Sequence, residues 1–165
     1  MKPIVAILGA AALALAGCAA TVSYRVSTGM SESEVLNIGG RPAREHKLAS
    51  GETAWDYTLQ PSGYFTWRVT FGRDGRVREI QNLMTYENSL KVRPGMTEDE
   101  VTGIMGPSLI RESYWTGNYS ISYRYMDDAT FMMMTVLMSK DGRVTNAIWQ
   151  PDGIMYDAVS GEGHR

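Results

Sequence analysis

The chain contains stretches in which apolar and polar residues alternate. From Trp55 to Leu59 every second residue is apolar, and the same alternation recurs from Phe65 to Phe71. A period of two is typical of β-strands that bury one face. Two further strands are predicted from Val77 to Ile80 and from Val144 to Trp149. Each follows an Asp-Gly pair, which favours a hairpin turn because glycine adopts positive φ at little cost.

Two short helices are predicted from matching N-terminal signals. Ser31 and Thr97 are suited to be N-cap residues, and Glu34 and Glu100, three residues on, complete a capping box in each case. Glycine follows soon after and ends each helix within about three turns. The apolar face of the two helices is formed by Met30, Val35, Ile38, Met96, Val101 and Ile104.

These features occur twice in the same order. The matching segments are residues 28–35 with 94–101, Trp55-Asp56-Tyr57 with Tyr123-Arg124-Tyr125, and residues 74–77 with 141–144. Because the period exceeds that of solenoid repeats, the pattern indicates one small domain present in tandem. Each copy is predicted to contain a helix, a second short helix and a three-stranded meander. The fold class is therefore α+β, with two tandem ααβββ repeats (residues 27–90 and 91–150) sharing an antiparallel β-sheet with helices on one face.

The N-terminus has the features of a targeting segment. The uncharged run from Ile4 to Gly17 follows Lys2, and it is too short to span a bilayer but has the length of a secretory signal peptide. The run ends at Cys18, where "LAGC" resembles the bacterial lipobox. This resemblance implies that residues 1–17 are a lipoprotein signal peptide and that Cys18 is the lipid anchor. A plain signal peptide with an incidental cysteine is the alternative.

The lipobox sets the remaining boundaries and the expected location. Residues 18–26 are predicted to be a lipidated tether, and residues 151–165 a C-terminal tail with too little apolar surface to fold alone. Ala19 and Ala20 follow the cysteine, and the absence of aspartate there resembles the default sorting signal for the outer membrane. We therefore expect an outer-membrane protein that faces the periplasm and is held by its lipid.

The repeated motifs also carry a family resemblance. The pattern "GM[ST]xxEV", a glycine and proline near the helix end, an aromatic strand and a hairpin at "DGRV" resemble the SmpA/OmlA (BamE-like) outer-membrane lipoproteins. The resemblance implies an ααβββ domain and a role beside the β-barrel assembly components. The assembly lipoprotein itself has one copy of the unit, whereas this chain has two. Two copies in tandem resemble the β-lactamase inhibitor protein fold, which implies one curved sheet.

Charge and motif content argue against other classes of function. The chain has 16 basic and 18 acidic residues and no basic patch, so nucleic acid is excluded as an expected partner. His46, placed in a predicted polar helix, and His164 lack the spacing of a zinc site, and Asp127-Asp128 lacks the glycine of a calcium loop. No nucleophile or nucleotide-binding motif is present. We therefore expect a protein that is not an enzyme and has no metal or cofactor.

One strand suggests a binding surface. Residues 129–138, "ATFMMMTVLM", are apolar on both faces, with Phe131, Met133 and Leu137 on the second face. The aligned face of the first copy carries Thr66, Arg68 and Thr70 and is predicted to be solvated. Either the second face is covered, for example by the tail, or it is an apolar patch that holds a partner.

An aromatic loop suggests another. Tyr114, Trp115 and Tyr119 are predicted to lie in the loop before the strand of Tyr123 and Tyr125. Loop aromatics are enriched at binding surfaces, although packing over the sheet edge would explain them equally well. The candidate partner-binding residues are Arg68, Tyr114, Trp115, Tyr119, Arg124, Phe131 and Met133.

The sequence thus predicts a periplasmic protein-binding or scaffold module, with a role in envelope or outer-membrane protein assembly. The alternative is a proteinaceous inhibitor of a periplasmic or cell-wall enzyme such as a β-lactamase, which rests on fold analogy.

Overall fold

The computed structural model describes residues 19–153, so that Cys18, the signal peptide and residues 154–165 lie outside the described residues. The first repeat consists of α1 (Ala19–Arg25), α2 (Glu32–Gly39), β1 (Arg44–Lys47), β2 (Thr53–Thr58), β3 (Thr66–Phe71) and β4 (Val77–Asn82). The second consists of α3 (Tyr86–Ser89), α4 (Glu98–Met105), β5 (Ile110–Ser113), β6 (Tyr119–Asp127), β7 (Thr130–Met138) and β8 (Val144–Pro151).

The α+β class and the two-repeat arrangement are confirmed. The hydrogen bonding of the sheet, however, differs from the prediction of one shared sheet. The described strands form two four-stranded antiparallel sheets, in the orders β1-β2-β3-β4 and β5-β6-β7-β8. Each repeat therefore completes its own sheet, and the two repeats meet through side chains and loops.

Each repeat is also ααββββ rather than ααβββ. The extra strand, β1 or β5, takes the place of the predicted second helix, so His46 lies on a strand. The residues of β1, Arg-Glu-His-Lys, have no strong strand preference of their own, and pairing with β2 decides their conformation. The second helix of each repeat, α1 or α3, instead precedes the capped helix. Residues 19–25 of the predicted tether are thus part of the fold.

The two capping boxes form as predicted. Glu34 accepts a hydrogen bond from the backbone N–H of Ser31 at 2.8 Å, and Glu100 accepts one from Thr97 at 2.7 Å. These backbone hydrogen bonds lower the pKa of both glutamates, because they favour the ionised carboxylate. Each capping box begins beside a hairpin. In the first repeat, Ser31 forms an isolated antiparallel β-bridge with Arg76.

The same bridge recurs between Thr97 and Arg143. The N–H groups of Val77 and Val144 donate to the carbonyls of Met30 and Met96 at 2.7 and 2.8 Å. The "GM" and "DGRV" motifs recur together because each pair forms a single contact.

Two tyrosines fix the structural equivalence of the repeats. The hydroxyl of Tyr57 donates to the carbonyl of Gly40 at 3.1 Å, and that of Tyr123 donates to Gly106 at 3.3 Å. Tyr57 therefore corresponds to Tyr123, and the sequence alignment that paired Tyr57 with Tyr125 is displaced by two residues. A displacement of two keeps every side chain on the same face of a strand, so the pattern alone did not reveal it.

Each sheet buries one face beneath its own helices, which we call the inner face. The core of the first repeat is formed by Val22, Val26, Val35, Trp55, Tyr57, Val69, Phe71 and Val77. The core of the second includes Leu83, Met84, Val92, Val101, Met105, Ile121, Tyr123, Tyr125, Met134, Val136, Met138 and Val144. Leu83 and Met84 directly follow β4, so the connection between repeats already belongs to the second core.

Candidate protein-interaction surface

The outer face of the first sheet is buried by the second repeat. Across its strands runs a row of paired residues, Arg44, Asp56, Arg68 and Gln81. Arg68 forms a bidentate ion pair with Asp56 at 2.7 and 2.9 Å, and its remaining nitrogen donates to the carbonyl of Gly103 at 2.6 Å. Gly103 lies on α4, so a helix of the second repeat covers this face.

This burial corrects the prediction that Thr66, Arg68 and Thr70 form a solvated face. The three residues are 0%, 8% and 6% exposed. A polar face can be buried here because Arg68 is neutralised by Asp56 and hydrogen-bonded to α4, which compensates for the loss of water. Arg68 is consequently not available to a partner at the surface.

The corresponding outer face of the second sheet is only partly buried: Ser120 and Ser122 are buried, whereas Met133, Thr135 and Leu137 are half-buried. Its equivalent row is Ile110, Ser122, Thr135 and Ile148. Ile148 is 43% exposed, while the hydroxyls of Ser122 and Thr135 bond to each other at 3.1 Å. After β8 the described part of the chain contains only Asp152 and the helical residue Gly153, so no helix within that part takes the position that α4 takes over the first sheet. Among the described residues, this last sheet face is therefore the less covered of the two.

The β5–β6 hairpin extends the outer face of the second sheet. Trp115, at its tip, is 97% exposed, and Tyr114 is 41% exposed. The hydroxyl of Tyr114 donates to Ser120, which belongs to the outer face, at 3.0 Å. Gly117 closes the turn with φ of 85°, and its N–H donates to the carbonyl of Tyr114. The hairpin thus adds two aromatic side chains to the outer face of the second sheet.

Tyr119 does not lie in this loop, contrary to the prediction. It is the first residue of β6 and packs against the inner core. Its hydroxyl donates to Glu98 at 2.6 Å, and the guanidinium of Arg111 lies 3.9 Å from the centre of its ring. Burial raises the pKa of the tyrosine. Arg111 also pairs with Glu98 at 2.7 Å, so the cluster connects β5 and β6 to the first turn of α4.

Arg124 and Phe131 lie at the junction between the repeats. The backbone carbonyl and N–H of Arg124 bond to the side chain of Gln60 at 2.6 and 3.1 Å, and its guanidinium donates to the carbonyl of Pro61 at 2.6 Å. The ring of Phe131 lies 4.7 Å from that of Tyr64, between centroids. Both candidates therefore hold the repeats together.

A buried acid completes the junction. The hydroxyl of Tyr64 donates to Asp152 at 3.0 Å, and burial with this hydrogen bond raises the pKa of Tyr64 to about 12. The Nε of Arg124 lies 2.9 Å from the same carboxylate but without hydrogen-bond geometry, so the contact is an ion pair only. Asp152 is fully buried, which makes the beginning of the predicted tail part of the fold.

The remaining residues on the outer face of the second sheet and on its hairpin form a largely apolar surface. We call this surface the open face, and it consists of Ile110, Tyr114, Trp115, Met133, Thr135, Leu137 and Ile148. Met133 and Leu137 are half-buried. Sequence reasoning missed three members of this surface: Ile110, Thr135 and the most exposed of the three, Ile148. Its signal was the adjacent pair Ile148-Trp149, since two neighbouring apolar residues on a strand must occupy opposite faces.

The chemistry of the described residues is limited. In residues 19–153 no cluster of His, Asp or Glu side chains has the composition of a metal site. His46 lies 4.0 Å from Asp56, and burial lowers its pKa. No helix within that range combines the length and hydropathy needed to cross a bilayer.

No protein-family model matches this chain. No curated protein matches it either. Among solved structures, it is similar to a putative osmotically inducible lipoprotein, OsmE, at 19% identity, over 46% of this chain and 88% of that one, with a TM-score of 0.36. It is also similar to a DUF4309 family protein, YjgB, from Bacillus subtilis, at 15% identity over 74% and 78% of the two chains, with a TM-score of 0.30. At these TM-scores neither likeness identifies a function.

Proposed function

We propose that this chain is a lipid-anchored outer-membrane protein that binds another envelope protein through the open face. The lipobox at Cys18 supports the anchor, although that residue lies outside the described part of the chain. The resemblance of the repeated motifs to those of the SmpA/OmlA (BamE-like) lipoproteins supports a partner among the β-barrel assembly components. The chain acts as a binding module without catalysis.

The difference between the two outer faces is the observation that carries this proposal. In the first repeat the outer face receives α4, which presents the carbonyl of Gly103 to Arg68. In the second repeat the equivalent row ends in Ile148, which is exposed. The ion pair of Asp56 and Arg68 is replaced there by Ser122 and Thr135. An uncharged sheet face can be desolvated by a partner at lower cost than a charged one.

The aromatic hairpin adds the anchor that such an interface needs. Tryptophan and tyrosine dominate the energetics of many interfaces because they bury a large area with few rotatable bonds. Trp115 makes almost no contact within the protein. The hydration of its apolar ring is therefore an unfavourable free energy that no gain in folding stability compensates. Partner binding would offset that cost.

Site-specific photocrosslinking in living cells tests the proposal. A photoreactive amino acid at Trp115 or at Ile148 should crosslink to one and the same envelope protein. The matched control is Tyr86, an aromatic residue of α3 that is 40% exposed outside the open face. Crosslinks of equal yield at all three positions, or none at Trp115 and Ile148, would contradict the proposal. Deletion of the gene should also lower the level of outer-membrane barrels.

A second function, inhibition of a periplasmic enzyme, is favoured by one observation. The β5–β6 hairpin projects Trp115 at its tip, and an exposed aromatic at the tip of a hairpin is suited to enter an active-site cleft. If the purified protein blocks a β-lactamase or a muramidase and Trp115→Ala abolishes the block, while deletion leaves the envelope intact, inhibition is the function.

A further inference from the structure

The first described residue, Ala19, already belongs to a packed helix. The helix α1 buries Val22 completely, and the hydroxyl of Thr21 donates to the carbonyl of Ile38 at 3.1 Å. Contact with α2 is close, since a Cβ added at Gly39 would lie 2.8 Å from the Cγ2 of Val22. Ala19 itself packs against the first core. Consequently α1 cannot move away from the repeat without opening that core.

Cys18 is separated from this helix by a single peptide bond. Consecutive Cα atoms are about 3.8 Å apart, whereas a flexible linker spans about 5–6 Å times the square root of its length in residues. A lipid on Cys18 would therefore hold the first repeat directly at the bilayer. The surface around Ala19 must then lie among the phospholipid headgroups.

That surface contains a shallow pocket of about 270 Å³. It is lined by Ala19, Gly39, Arg41, Ala43, Tyr57, Thr58 and Leu59, and we call it the anchor pocket. Arg41 and Ala43 are exposed at its rim, and Leu59 is half-buried. Arg41 makes no hydrogen bond or ion pair within residues 19–153. An arginine without a carboxylate beside it is suited to a phosphate group.

We propose that the rim of the anchor pocket rests on the bilayer, with Arg41 bound to a phospholipid phosphate and Leu59 facing the upper acyl region. This inference depends on the lipid at Cys18 that the proposed function includes. The first repeat is then held in one orientation. Since the junction fixes the second repeat to the first, the open face is also held at one angle to the membrane.

Spin-label accessibility in vesicles tests this orientation. The full chain is purified from membranes with its lipid and reconstituted in phosphatidylethanolamine and phosphatidylglycerol. Because Cys18 is the only natural cysteine and its sulfur is consumed by the lipid, an added cysteine gives the only free thiol. Ala43→Cys places a nitroxide at the rim, and Arg73→Cys places one at the opposite end of the first sheet, about 20 Å away by strand length.

The label at position 43 should be more accessible to oxygen, which concentrates in the bilayer, and less accessible to a water-soluble nickel complex than the label at position 73. Inserting a flexible Gly-Ser segment between Cys18 and Ala19 should abolish that difference, and Arg41→Glu should reduce it. Equal accessibility at positions 43 and 73 in lipid-modified protein overturns the orientation alone. Mass spectrometry that finds an unmodified Cys18 overturns both this inference and the proposed anchor.

Discussion

Asp56 and Arg68 face each other across β2 and β3 and form two hydrogen bonds of 2.7 and 2.9 Å in the buried centre of the molecule. Arg68 also reaches α4 at the carbonyl of Gly103. The pair is therefore part of the first sheet and of the contact between repeats at the same time. A substitution that breaks this ion pair should weaken both the first sheet and the contact between the repeats.

Arg68→Met should destabilise the protein by about 3–5 kcal/mol, because it removes both hydrogen bonds and the paired charge from the buried carboxylate of Asp56. Urea unfolding followed by circular dichroism measures the loss. The double variant Asp56→Ser with Arg68→Thr copies the Ser122–Thr135 pair of the second repeat and should recover much of the stability. A double variant as unstable as Arg68→Met would show that the buried charge is not the cause.

Two helical glycines should respond in opposite directions to alanine. A Cβ at Gly39 would lie 2.8 Å from atoms of both Val22 and Tyr57, so Gly39→Ala should cost about 1–3 kcal/mol through overpacking. A Cβ at Gly103 would meet nothing within 4 Å, so Gly103→Ala should stabilise α4 by about 0.5–1 kcal/mol. Thermal unfolding of both variants checks the pair, and a gain for Gly39→Ala would contradict the close packing of α1.

The sequence predicted those features that depend on neighbouring residues. Capping boxes, Asp-Gly turns and the strands β2 and β3 are set within a few positions, and all were found, but both faces of β2 and β3 are buried, whereas the alternation predicted one buried face. The strand β1 was missed because its four polar residues become a strand only by pairing with β2. The helix α1 was missed for the same reason, since burial of Val22 requires the whole first core.

The candidate binding residues also divide into those whose position is set locally and those whose position depends on distant parts of the chain. The exposure of Tyr114 and Trp115 follows from a local hairpin. The burial of Arg68 depends on Gly103, which is distant along the chain, and no local pattern indicates it. Likewise, the sequence indicates that Arg124 is a surface cation. In the folded protein Gln60 and Asp152 lie around it.

Stability should fall as the pH drops below the ordinary pKa of histidine. Burial lowers the pKa of His46, Asp56 opposes this effect, and Arg44 and Arg68 add to it. The unfolded chain, in which the histidine has its ordinary pKa of 6.5, therefore binds a proton at a higher pH than the folded chain does. The stability that His46 contributes is present above that pH and is lost as the pH falls through the lower folded value.

Urea unfolding between pH 7.5 and 5 measures this loss, and His46→Gln should flatten the profile. The control is His164→Gln, outside the described residues, which should show the same dependence of stability on pH as the natural protein. If both variants behave alike, His46 is not the group responsible.

The two capping boxes should contribute equally. Ser31→Ala and Thr97→Ala should each cost about 1 kcal/mol, and the double variant about twice that, because the sites share no partner. Chemical denaturation gives all three values. Thr28→Ala is the control, since its exposed hydroxyl caps no helix. Unequal costs would show that the repeats do not use the motif in the same way.

The packing of Val22 beneath Gly39 limits where the chain can be shortened. Removing everything before residue 27, the usual way to obtain a water-soluble form of an acylated protein, would take Val22 and Val26 out of the first core and leave Tyr57 and Phe71 partly uncovered. A secreted version that keeps residues 19–26 and loses only the acylation site would retain that core. Assays of partner binding in solution should therefore use a protein whose first native residue is Ala19.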